Sequence, residues 1–149
     1  MDLILFPELR EHLVHMTFRL DDEDTDDKPL GEPNAFLEEA LFKARTIILT
    51  GGIDDKQARR VCERLLALSS ESADPILLVL SSPGGHVESG DMIHDMIKFV
   101  PAPVKVLGTG WVASAGALIY SAAQKKNRYS LPNTRFLLHE PRGGVGGQA

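Results

Sequence analysis

From about position 36 the apolar residues become periodic, and the period alternates between that of a helix and that of a strand. Residues 36–43 fit a short helix. Thr46-Ile47-Ile48-Leu49-Thr50 is rich in β-branched residues and ends on Gly51-Gly52, the pattern of a strand closed by a turn. Asp54 then offers an N-cap, and Gln57 completes a capping box. Ala58, Val61, Leu65 and Leu68 recur at helical spacing and predict one buried stripe. Ile76-Leu77-Leu78-Val79-Leu80 follows Pro75 as an unbroken apolar run, as expected of a strand covered on both faces. Ser82-Pro83-Gly84-Gly85 turns the chain into a second helix over residues 88–100, with Met92, Ile93, Met96 and Ile97 on one face. Pro101 and Pro103 end it, and Val104-Lys105-Val106-Leu107 makes the next strand. Gly108-Thr109-Gly110 leads into a small-residue helix over residues 113–124. Arg135-Phe136-Leu137-Leu138 is a fourth strand, followed at once by His139. Strands alternating with helices predict an α/β fold with helical crossovers.

Length adds little to this picture: 149 residues suit one domain with a sizeable core. Composition is that of a globular chain, 43% apolar and 25% charged. The single cysteine, Cys62, excludes an internal disulfide framework and argues against a thiolate metal cluster. No apolar run approaches the roughly 18 residues of a membrane span. The N-terminus lacks the basic start and long apolar stretch of a signal peptide, so the expectation is a cytoplasmic protein without a membrane partner.

Charge changes more. The formal net charge of −5 hides 12 acids against 3 bases in residues 1–39 and 9 acids against 13 bases in residues 40–149. Residues 1–35, broken by Pro7, Pro29, Gly31 and Pro33, read as an acidic N-terminal arm, and residues 36–149 as the globular head. The run Asp21-Asp22-Glu23-Asp24-Thr25-Asp26-Asp27 repels itself and reads as a solvated loop. Asp22, Asp24 and Asp26 match the first ligands of an EF-hand, but Asp27 stands where its glycine is needed and Pro33 where its bidentate Glu is needed. His12 and His15 are three apart, whereas the zincin motif needs four. No metal is expected. The scattered bases carry no aromatic interleaving, so no nucleic acid is expected either.

Two readings compete at residues 108–117. Gly108-Thr109-Gly110-Trp111-Val112-Ala113 satisfies the dinucleotide fingerprint, but residues 126–133 hold no acid for the ribose, and no cofactor is expected. Ser114 opens the predicted helix, where unpaired amides and the helix dipole favour a developing oxyanion. Taken alone, the segment favours a plain N-cap serine, and Val112 departs from the G-x-S-x-G elbow. Gly84 and Gly85, after a buried strand, let backbone amides approach a ligand. His139, ending another strand, is suited to face a cleft.

Together these stretches resemble the proteolytic subunit family of the Clp protease, a self-compartmentalised serine peptidase. The matching residues are 41–55 (LFKARTIILTGGIDD), 81–85 (SSPGG), 113–117 (ASAGA), 128–135 (RYSLPNTR) and 139–149 (HEPRGGVGGQA). The resemblance covers residues 37–149 in order and spacing. It implies a crotonase-like α/β fold of repeated β-β-α units, here a head domain with the C-terminal part of the family fold missing. It implies Ser114 as nucleophile, His139 as general base, and the amides of Gly85 and Ala115 as the oxyanion hole. Arg142, Gly143 and Gly144 would bind an extended peptide by strand addition. The implied partners are unfolded polypeptide substrates, an AAA+ unfoldase, and copies of the same chain in heptameric rings paired as a tetradecamer.

Departures from the family pattern bear on activity. Glu140 replaces the usual Gln, and Ala115 replaces the usual Met. The family's third triad residue is an Asp well beyond the histidine, and no acid follows Glu140 here. Loss of that partner costs about 10⁴ in kcat in a serine protease, so this sequence alone is expected to be a weak or inactive hydrolase. Two other readings compete: a non-catalytic ring subunit serving assembly or docking, and a CoA-thioester hydratase or isomerase of the related crotonase superfamily. The latter's glutamate acid/base residues have no clear counterpart.

Overall fold

A computed structural model describes residues 35–139. The chain divides into two compact units, residues 1–46 and residues 47–149. In the first, helix α1 (Ala35–Lys43) carries an exposed Glu39–Lys43 ion pair at 2.6 Å, and Arg45 leaves it with φ 49°. The acidic run, His12 and His15 lie outside the described residues.

The second unit alternates strand and helix. Strand β1 (Thr46–Thr50) leads to α2 (Asp55–Glu71), β2 (Ile76–Ser82), α3 (Val87–Phe99), β3 (Val104–Ala113) and α4 (Ala115–Ala122). Two short strands, β4 (Arg128–Ser130) and β5 (Arg135–Leu137), follow. The sheet order is β1-β2-β3-β4, and β5 also pairs with β3. Pairings of β3 with β2, β4 and β5 are all parallel. Val106 faces both Leu78 and Arg128, and Val112 faces both Ser82 and Phe136, so β4 and β5 lie in tandem along the edge of β3 opposite β2.

Apolar burial explains the arrangement. Ala58, Val61, Leu65 and Leu68 of α2 are buried as their spacing predicts, with Cys62 beside them. Ile76, Leu77, Leu78 and Leu80 of β2 are all at most 1% exposed, as a strand covered on both faces requires. In α3 the buried stripe is Ser89, Gly90, Ile93 and Ile97. Met92, predicted on that face, is 46% exposed, because the i, i+4 row through 89, 93 and 97 turns it outward. Among the described residues, no helix is long and apolar enough to cross a membrane, and no group of three or more His, Cys, Asp or Glu side chains is arranged to hold a metal.

Three local expectations change. Asp54 caps α2, accepting the Gln57 amide at 2.8 Å, but the capping box is incomplete. The Gln57 side chain donates instead to the carbonyls of Thr50 and Gly52 at 3.1 and 2.9 Å, tying down the turn after β1. Residues 108–113, read as a turn and a helix start, continue β3. Between the pairs Leu80–Gly108 and Ser82–Val112 the chain takes two steps on β2 and four on β3, and the excess forms a bulge at Thr109-Gly110-Trp111. Gly110 adopts φ 60° there. The dinucleotide fingerprint therefore lies within a strand and opens no helix. Finally, β4 was not predicted. Arg128 anchors it by donating to the carbonyls of Ser121 and Ala123 at the end of α4, at 2.6 and 2.7 Å.

Candidate active site

In a parallel sheet, ligands bind beyond the carboxyl ends of the strands. Gly84 and Gly85 follow β2, Ser114 follows β3, and His139 stands two residues after β5. All four therefore belong to one end of the sheet.

Ser114 joins β3 to α4 with φ 52° and ψ −123°. These are the dihedrals of the first central position of a type II′ turn, where glycine is the ordinary occupant. A serine held there costs about 1–3 kcal/mol of strain. The side chain makes no capping hydrogen bond, so the plain N-cap reading fails. Surrounding contacts hold the conformation. The Ser114 amide donates to the Leu137 carbonyl at 2.9 Å, and its own carbonyl accepts from Ala117 and Leu118 at 2.9 and 3.1 Å. The amides of Ala115 and Gly116 belong to the open first turn of α4, where helical partners are lacking.

The turn after β2 reaches the same point. A Cβ on Gly84, at φ 101°, would lie 2.6 Å from Ser114 Cβ and 3.0 Å from the Ala113 carbonyl oxygen. Only glycine allows that approach. Gly84 accepts from the Ile53 amide at 2.9 Å, and the His86 amide donates to the Ile53 carbonyl at 2.9 Å. These bonds form the parallel bridge Ile53–Gly85. Because the carbonyl and N–H of a trans peptide point opposite ways, binding Gly84 O to Ile53 turns the Gly85 N–H toward the other edge. In the sheet order, that edge faces the end of β3. Gly85 is exposed.

Small residues close the site from behind. A Cβ on Gly90 would meet Ala115 Cβ at 3.0 Å, and one on Gly116 would meet Ser82 Cβ at 3.3 Å. The small neighbours of Ser114 thus let α4 seat against α3 and β2.

β5 brings in the histidine. The segment between β4 and β5 is fastened to Gly108, whose carbonyl accepts from the Leu131 amide at 3.0 Å and the Thr134 hydroxyl at 2.9 Å. Tyr120 of α4 packs edge-on against Phe136 at 5.0 Å. The Ser114–Leu137 hydrogen bond then fixes β5 beside the Ser114 turn, and His139 stands exposed beyond it. Glu140, Arg142, Gly143 and Gly144 lie outside the described residues.

His86 follows Gly85, and its side chain is 52% exposed. It sits in a polar cluster that the sequence pattern does not show. Its Nδ1 is 3.1 Å from Asp55 Oδ1 and 2.8 Å from Ser89 Oγ, and its Nε2 is 2.9 Å from Glu88 Oε2. Ser89 Oγ donates to Asp55 Oδ1 at 2.6 Å, joining the starts of α2 and α3. That hydrogen bond, and then the charge of His86, hold the Asp55 carboxyl below its ordinary 3.8. A depressed carboxylate stabilises the fold above its unfolded pKa, and that contribution is lost as pH falls through the lower folded value. The Asp55 carboxyl carbon is therefore expected to titrate by NMR with a midpoint below 3.8, and Ser89→Ala to move the midpoint up. A midpoint at or above 3.8 in the unsubstituted protein would contradict this.

A strained serine between a parallel strand and a helix, facing a glycine turn with an outward amide, is an arrangement that could serve acyl transfer. Comparison with known proteins gives the family. The family model described as Clp protease matches residues 31–149.

The chain belongs to the Clp protease family.

It is 56% identical over 142 residues to the ATP-dependent Clp protease proteolytic subunit 2 of Gluconobacter oxydans, covering 88% of this chain and 64% of that protein. It is 57% identical over 119 residues to the proteolytic subunit 2 of Pseudomonas aeruginosa, covering 80% of this chain and 59% of that protein. The solved ClpP1 of Listeria monocytogenes superposes with a TM-score of 0.70 at 55% identity, covering 74% of this chain and 65% of that one. The chain thus spans about two thirds or less of the length of these relatives. The fold is the Clp-type α/β fold expected from the resemblance.

Proposed function

We propose that this chain supplies the peptide-hydrolysing site of a Clp-type serine endopeptidase. The observation that carries the reading is the strained Ser114 at the β3–α4 turn, with the Gly84 backbone packed against it. In this reading Ser114 Oγ attacks the peptide carbonyl carbon while His139 takes its proton. The resulting oxyanion is held by the N–H groups of Gly85 and Ala115. Collapse breaks the C–N bond, and the amine leaves with the proton from His139. Water, deprotonated in turn by His139, then releases the acyl group.

Arg142, Gly143 and Gly144 hold the substrate as an added strand, so that main-chain hydrogen bonds give affinity without selecting side chains. That suits unfolded polypeptides delivered by an AAA+ unfoldase into a chamber of heptameric rings in the cytoplasm. The names of the relatives, proteolytic subunits of an ATP-dependent protease, support a peptidase subunit that works with an ATP-consuming partner.

The test is labelling of the native gene product with an alkyl fluorophosphonate, followed by peptide mapping. Modification is expected on the peptide containing Ser114, and on no other serine. It is expected to be abolished by His139→Ala. Absence of labelling at Ser114, together with absence of hydrolysis of an unfolded polypeptide, would refute the reading.

A further inference from the structure

Ser82 is one of three buried polar residues among the described ones and is fully buried. Its Oγ lies 2.6 Å from the Gly51 carbonyl oxygen and 3.0 Å from the Gly84 amide nitrogen. The direction of both bonds follows from chemistry. A carbonyl only accepts, so the hydroxyl proton points at Gly51, and the lone pairs face the Gly84 N–H. One hydroxyl thus joins the turn after β1 to the turn after β2.

This commits both polar groups of Gly84. Its N–H goes to Ser82, and its carbonyl goes to the Ile53 amide. Glycine at φ 101° is free to rotate, so nothing in its own conformational preference fixes the Gly84–Gly85 peptide. The fixed bonds on both sides do. Ser82 also backs the nucleophile helix, its Cβ lying 3.3 Å from where a Cβ of Gly116 would stand.

We infer that Ser82 is a positioning residue of this site: its buried hydroxyl fixes the Gly84 N–H and, together with the Ile53 amide on the Gly84 carbonyl, holds the Gly84–Gly85 peptide so that the Gly85 N–H faces the reacting carbonyl. The inference rests on the peptidase reading and extends it to a residue that never touches substrate. Without the hydroxyl the Gly84 N–H loses its acceptor, and the Gly84–Gly85 peptide, held then only through the Ile53 bridge, loses its support on the Ser82 side, so the Gly85 N–H is less firmly aimed. Ground-state binding of the substrate does not use that N–H, whereas the tetrahedral state does.

The experiment measures saturation kinetics of Ser114 phosphonylation by an alkyl fluorophosphonate in the native gene product, with Ser82→Ala and Ser82→Cys. The thiol keeps the shape of the side chain, is somewhat larger, and hydrogen-bonds weakly. A packing role predicts that Ser82→Cys behaves as the unsubstituted protein. Positioning predicts that both variants lower the limiting rate about 10-fold or more, bounded by the roughly 10²–10³ cost of losing an oxyanion donor. The half-saturating probe concentration is expected to stay within about twofold, as befits an interaction made only in the transition state. Amide hydrogen exchange at Gly84 is expected to rise in both. Should Ser82→Ala fail to fold, the comparison with Ser82→Cys carries the test alone.

An unchanged limiting rate in Ser82→Cys, or a change confined to half-saturation, overturns the positioning role while leaving the peptidase reading intact. Failure of the unsubstituted protein to label overturns the peptidase reading and the positioning role with it.

Discussion

Ser114→Gly is expected to yield a protein more stable than Ser114→Ala and equally unable to hydrolyse peptides. Both variants remove the proposed nucleophile. Removing the nucleophilic serine of a serine protease costs about 2 × 10⁶ in kcat, and a residual rate over water survives through the oxyanion hole. They differ in backbone strain. Alanine inherits φ 52°, ψ −123° with its Cβ in place, whereas glycine occupies that region freely. Against the relief of about 1–3 kcal/mol stands the ~0.4–1 kcal/mol that glycine's extra freedom in the unfolded chain removes. The net expectation is a Ser114→Gly protein about 1 kcal/mol more stable than Ser114→Ala. Thermal melts of the two variants, with initial rates on an unfolded polypeptide, measure both halves. Equal melting temperatures would show that the turn holds no strain. Retention of more than about 1% of the rate would remove Ser114 from the chemistry.

Such strain is the reason the serine was hard to read from its surroundings. Residues 108–113 contain two glycines and precede a small-residue stretch, which locally spells turn and helix start. What makes them strand is pairing on both edges of β3, with Ser82 on one side and Arg135 to Leu137 on the other. Those partners are 24 or more residues away, and no local pattern encodes them. β4 is the same case in miniature: Arg128, Tyr129 and Ser130 have no apolar alternation and become strand by lying along Val106 to Gly108.

The elements that were legible are those whose period is written in their own residues. The stripe of α2 and the apolar run of β2 need no knowledge of partners, because each buries what its spacing presents. Met92 marks the limit, since a helix one residue out of phase looks equally amphipathic until its neighbours are known. For the site, Ser114, His139 and the glycine turn are candidates through ordered resemblance, and their placement at one sheet end follows from the parallel topology. The hydroxyl of Ser82 was invisible because its partner carbonyl on Gly51 lies 31 residues away. The cluster of Asp55, Ser89 and His86 was invisible for the same reason, spanning two helix starts.

Gly85→Ala is expected to have the largest effect of any glycine substitution near the site. The added Cβ would lie 2.2 Å from the Ile53 carbonyl oxygen and 2.7 Å from its nitrogen. Both are backbone atoms, so no rotamer change relieves the overlap. Relief requires opening the bridge, which loses the Ile53 N–H to Gly84 O bond and the His86 N–H to Ile53 O bond. At about 1–3 kcal/mol for each buried group left without a partner, the loss approaches a third of the 5–15 kcal/mol typical of a domain. Opening the bridge also releases the Gly85 N–H from its orientation, and the rate of phosphonylation at Ser114 is expected to fall by about 10² or more. Gly52→Ala supplies the control. It follows β1 and directly precedes Ile53, the partner of Gly85 in the bridge, yet nothing stands within 4 Å of its Cβ position. Its variant is expected to melt and label as the unsubstituted protein does. If Gly85→Ala matched that control in both measurements, the Ile53 bridge would not be what holds the glycine turn, and the aimed amide would lose its structural basis.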